Sequence, residues 1–103
     1  MIITVDGIEM DLLTPWVAVG ATKSSEPRAY VENSAGGVIG NAHGFGHELS
    51  AEQVEAVARL MAAAPDLLAA LEIVEIRVSN GTALWSDEIQ KIRQAIGKAY
   101  GSI

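Results

Sequence analysis

The sequence has no cysteine, so it offers no thiolate nucleophile, no cysteine-based zinc site and no disulfide framework. Basic residues are few. Lys and Arg number 7 against 13 Asp and Glu, a formal net charge of −6. A face that grips phosphates needs the opposite sign, so direct nucleic-acid binding is not expected. Long apolar runs are missing too. The charge-free stretch from Leu12 to Thr22 is too short for a membrane span, and that from Asn33 to His47 is broken by glycine, asparagine and histidine. Met1 to Asp6 has no basic opening of the signal-peptide kind. These absences lead us to expect a soluble, cytoplasmic protein with no membrane partner.

What is present argues for a packed core. Half of the 103 residues are hydrophobic and only 19% are charged, which excludes intrinsic disorder and suits one domain over 1–103. Alanine is abundant, and seven alanines fall between Ala56 and Ala70, a composition that lets helices approach closely. The acidity is spread over both halves rather than blocked. Its plain reading is solubility. Its sharper reading is a carboxylate surface offered to a basic partner, in mimicry of a nucleic acid.

The first part of the chain, 1–40, reads as a β-meander. Ile2 to Val5 is β-branched throughout, and Ile8 to Leu12 alternates apolar with acidic residues. Asp6-Gly7 between them signals a hairpin, because a type I′ turn needs positive φ at both central residues. Pro15 marks a break, Trp16 to Val19 a third strand, Arg28 to Glu32 a fourth, and Val38-Ile39 a short fifth. Asn41 to His47 reads as an irregular glycine-rich loop.

The period then changes, and 49–100 reads as helical. Ser50 with Gln53 forms a capping-box signature, and Leu49 can staple onto Val54. Val54, Val57, Ala58 and Met61 share one face of the first helix. Pro65 and Asp66 suit the start of a second helix, in which Leu67, Leu71, Val74 and Val78 form the expected buried stripe, widened by Leu68 and Ala70. Asn80-Gly81 stops it. A third helix begins at Ser86, with acids in its first turn, basic residues further on, and Ile89, Ile92, Ile96 and Ala99 facing inward. The expected fold is α+β: an N-terminal antiparallel β-sheet of four or five strands, then three α-helices packed on one face.

The segment Ala58 to Glu72, ARLMAAAPDLLAALE, resembles a signature found in small proteins of tailed phages and prophages, of the form A-R-L-I-A-A-A-P-[DE]-L-L-E-A-L-E. Thr14-Pro15-Trp16 is similar to a shortened T-P-G-P-W stretch of the same proteins, and Ile92 to Ala99 to their closing helix. The likeness runs over roughly 14–103. Val57 and Met61 depart from the pattern, which usually has asparagine and isoleucine there. The resemblance implies phage origin and a bacterial host cytoplasm, and it implies no mechanism.

Candidate chemistry is sparse. His43, His47 and Glu48 lie within six residues and are the only set that could hold a metal; a flexible loop leading to the Ser50 cap and anchored by Phe45 is the plainer explanation. No G-x-S-x-G elbow occurs, and Gly36 to Gly40 lacks the lysine and helix of a phosphate loop. No catalytic residue and no cofactor are therefore expected. Ile73 and Ile76 sit off the main stripe of their helix, so they are either covered by the sheet or part of a partner surface. Trp85, just before a helix, is a further candidate anchor, and Trp16 a core residue.

Three functional readings follow. The first is a non-catalytic protein-binding module whose partner is a host protein, as in an inhibitor of a host process such as CRISPR or another defence system. The second is a metal-dependent enzyme built on His43, His47 and Glu48. The third is a self-associating structural or assembly protein, a homo-oligomer.

Overall fold

The computed structural model describes residues 1–20, 27–43 and 49–101. Its elements are β1 (Ile2–Val5), β2 (Ile8–Asp11), β3 (Val17–Val19), β4 (Arg28–Glu32), β5 (Val38–His43), α1 (Ala51–Ala62), α2 (Ala64–Asn80) and α3 (Ser86–Tyr100). The class is α+β, but the single N-terminal sheet expected from the sequence is two sheets. One is the hairpin β1-β2, and the other is the antiparallel β3-β4-β5.

The split follows from the link between them. Leu13 holds a positive φ of 50°, unusual for a residue with a branched side chain, and turns the chain away after β2. Its N–H donates to Asp11 Oδ1 at 3.0 Å, and its carbonyl accepts from Ser34 N–H at 2.7 Å. Within the hairpin, Asp6 and Gly7 both take positive φ, as the Asp-Gly signal predicts. The register pairs Ile3 with Met10 and Val5 with Ile8 on one face, and Thr4 with Glu9 and Ile2 with Asp11 on the other. Among the described residues, β1 and β2 touch no other strand or helix. They form an arm.

The core lies between α1 and the second sheet. Ala18, Ala29, Val31 and Ala42 point inward from the strands, and Val54, Ala58 and Ala62 meet them from α1 at four-residue intervals. Small side chains allow a close approach. At Gly40 a Cβ would stand 2.9 Å from the Met61 methyl, so the strand needs glycine or a shifted Met61 there. Val57, expected on this face, points to solvent instead. The fifth strand runs on to His43 rather than ending at Ile39, because Gly40, Asn41, Ala42 and His43 find ladder partners on β4. Pairing overrides their weak strand preference.

Among the described helices only α1 packs on the β3-β4-β5 sheet. α3 packs on α1 and α2, and among the described residues α2 touches no strand. This corrects the expectation of three helices on one sheet face, and the reason is width. Three strands about 4.8 Å apart span about 10 Å, which one helix of about 10 Å diameter covers. The outer helices must stack beyond it, and the molecule is elongated, 51 × 30 × 23 Å.

The α1 cap is as the sequence predicts. Gln53 N–H donates to Ser50 Oγ at 3.1 Å, and Ser50 N–H donates to Gln53 Oε1 at 2.8 Å. Ser50→Ala is expected to cost about 1 kcal/mol in chemical denaturation. Ala58→Leu, which forces a larger side chain between α1 and the sheet, is expected to cost about 1–3 kcal/mol.

Candidate interaction surface

α1 and α2 are joined through the single buried residue Ala63, and Pro65 occupies the first turn of α2, where its missing N–H costs no hydrogen bond. α2 runs to Asn80 and stops at Gly81. α3 then returns along it, beginning at Ser86 as expected.

Two ion pairs close this helical hairpin at its ends. Lys98 Nζ donates to Asp66 Oδ2 at 2.7 Å. At the other end Arg77 grips Glu88 with two nitrogens, Nε to Oε1 at 2.9 Å and Nη2 to Oε2 at 3.0 Å. The same guanidinium lies 4.4 Å from the centre of the Trp85 ring, a cation–π contact. Glu88 also accepts the Trp85 N–H at 2.9 Å, which caps α3. The Arg77 side-chain hydrogen bonds, then the Trp85 N–H, hold the Glu88 carboxyl below the usual glutamate range. Between the ion pairs runs a groove of about 380 Å³ lined by Ala69, Ile73, Lys91 and Gln94.

Ile73 is thus half-buried against α3, and Ile76 is exposed beside it. Neither meets the sheet. Trp85 is 63% exposed, its ring resting on Arg77. The stripe Leu67, Leu71, Val74 and Val78 is not the buried face that the sequence suggested. Leu71 is 66% and Val78 74% exposed, and Leu67 and Val74 are half-buried. α2 carries two apolar stripes, and α3 takes the one containing Ala70 and Ile73. The sheet that could take the other is already occupied by α1. In α3, Ala95 is buried, Ile89, Ile92 and Ala99 are half-buried, and Ile96 is exposed rather than inward-facing.

His43 ends β5, exposed, opposite Arg28. His47 and Glu48 lie outside the described residues. Among the described residues no cluster of His, Cys, Asp or Glu could hold a metal ion. Trp16 is half-buried against the core and donates from Nε1 to the Leu12 carbonyl at 2.6 Å.

The family model of Salmonella phage P22 protein Y8K6 matches residues 11–103. The chain belongs to that family. The match takes in the second sheet and all three helices, hence the whole α2–α3 hairpin, and it begins at the last residue of β2. The Y8K6 family is a phage protein family, in agreement with the phage origin read from the sequence. No curated protein and no solved structure is significantly similar to the chain. Among the described residues no helix is long and apolar enough to cross a membrane.

The Arg77–Glu88 pair sets a pH dependence. A carboxyl whose folded pKa is depressed stabilises the fold above its unfolded value, and that contribution is lost as pH falls. The α2–α3 hairpin should therefore loosen as pH drops below the ordinary glutamate value of 4.5. Glu88→Gln should be less stable than wild type at neutral pH, and the two should converge in acid. Trp85 fluorescence and thermal melting read both effects.

Proposed function

We propose that this chain is a non-catalytic protein-binding module of phage origin that engages a host protein through the outer face of α2. One observation carries the reading: along one face of α2, Leu71 and Val78 stand exposed with Leu67 and Val74 half-buried beside them, and among the described residues no strand touches this helix. Leaving a Leu or Val side chain in water forfeits roughly 1.5–3 kcal/mol of burial. A stripe of such residues at helical spacing is the usual means by which a helix docks on a partner. Trp85, at the Val78 end of the hairpin, is the aromatic anchor beside it.

The role that best suits a small phage protein of this kind is inhibition of a host process, with defence systems such as CRISPR effectors as the first class to test. The bacterial cytoplasm is where such a partner would be met. The net charge of −6 favours a basic surface around the apolar contact.

Affinity purification from the host lysate, at native expression, tests this. Wild type should capture one host protein reproducibly. Leu71→Asp and Val78→Asp should lose it, while Lys91→Ala should keep it. Absence of any partner, or capture indifferent to both α2 substitutions, contradicts the reading.

A further inference from the structure

A pocket of about 330 Å³ opens where three parts of the chain meet: β3 with the link that leads into it, the last turns of α1, and the end of α3. That volume is at the lower end of the range for small-ligand sites. Pro15, Trp16, Ala18 and Ala62 make its apolar wall. The Trp16 indole N–H is already bonded to the Leu12 carbonyl at 2.6 Å, so the ring brings apolar surface and no donor. Arg59 from α1 and Lys98 from α3 form the polar side.

This is a cationic spot in an acidic chain. The sequence holds 7 basic residues against 13 acids, yet the described residues lining this pocket include two cations and no carboxylate. Each cation is only partly engaged. Arg59 meets Glu55 through Nη1 alone, at 3.3 Å, and among the described residues its other nitrogens have no partner. Lys98 Nζ meets Asp66 at 2.7 Å, and an ammonium has three donors. Glu55 and Asp66 both lie outside the lining. Gly101 keeps room for the guanidinium. A Cβ there would stand 2.7 Å from Arg59 Nε, and its φ of 73° disfavours any side chain. Like charges gathered against an apolar wall focus the field on the space between them and draw in the opposite charge.

We propose that this pocket binds a small carboxylic acid, its carboxylate held by Arg59 and Lys98 and its apolar body laid against Trp16, Pro15 and Ala62. The planar fork of arginine takes a carboxylate through two parallel bonds, and lysine adds a point charge. The volume suits an acid with one ring or a short aliphatic chain. The site shares no residue with the outer face of α2, so it stands or falls apart from the host-binding reading.

Nuclear magnetic resonance of the full chain at neutral pH tests the proposal. The chain has two tryptophans, and Trp85→Phe assigns the Trp16 indole signal. Phenylacetate and hexanoate are the probes, and phenylacetamide is the neutral match. Both acids should shift the Trp16 signal saturably in the millimolar range and leave that of Trp85 in place. Phenylacetamide should bind at least about tenfold more weakly, because it forfeits the charge-assisted bonds. Arg59→Gln and Lys98→Gln should each weaken phenylacetate about tenfold, with Arg59→Lys in between. Lys91→Gln, which removes the same charge from outside the pocket, and Leu71→Asp should bind as wild type does. Circular dichroism should show every variant folded. No saturable shift with either acid, an amide that binds as well as the acid, or a folded Arg59→Gln chain with unchanged affinity overturns the assignment.

Discussion

The seating of α1 across β4 is the contact on which the rest of the molecule hangs. Ala29, Val31, Ala42, Val54, Ala58 and Ala62 make up that cluster, and of these only Val31 and Val54 are larger than alanine. Small side chains bring helix and sheet close together, and they also limit how much apolar surface the contact can remove from water. A sheet of three strands then has room for one helix only. Everything further out, the arm at one side and the α2–α3 hairpin at the other, is joined to this core without being absorbed into it.

This geometry explains where the apolar excess of the composition goes. The abundant alanines are core and helix contact. The larger aliphatic residues, Leu71 and Val78 on α2, Val5 and Ile8 on the arm, Val17 on the outer sheet, are left at the surface. The usual order, large residues inside and small ones out, is reversed for mechanical reasons. These exposed residues lie on separate elements, the arm, the outer sheet and α2.

Local signals in the sequence were read correctly where the physics is local. The Ser50–Gln53 capping box and the Asp6-Gly7 turn depend on residues within a few positions of one another, so spacing alone determines them. The face of α2 depends on what lies beside it. The stripe Leu67, Leu71, Val74, Val78 has the right period for burial, and so does the face holding Ala70 and Ile73. Which one is covered follows from the width of a sheet that pairs non-locally. Two apolar stripes on one helix were the available clue that one of them would be left over. The break into two sheets depended on the backbone of Leu13, whose left-handed φ no residue preference announces. Trp85 was legible as a candidate anchor because it immediately precedes a helix start. Its clasp with Arg77 and Glu88 was not, since it links positions across the α2–α3 turn.

The central claim is that, among the described residues, α1 with β3-β4-β5 is the self-sufficient core and that the β1-β2 arm lies outside it. Amide hydrogen exchange in dilute solution measures this most directly. The account predicts the slowest exchange in α1, β4 and β5 and near-unprotected amides in β1 and β2. Arm amides as protected as those of α1 in dilute solution would contradict it.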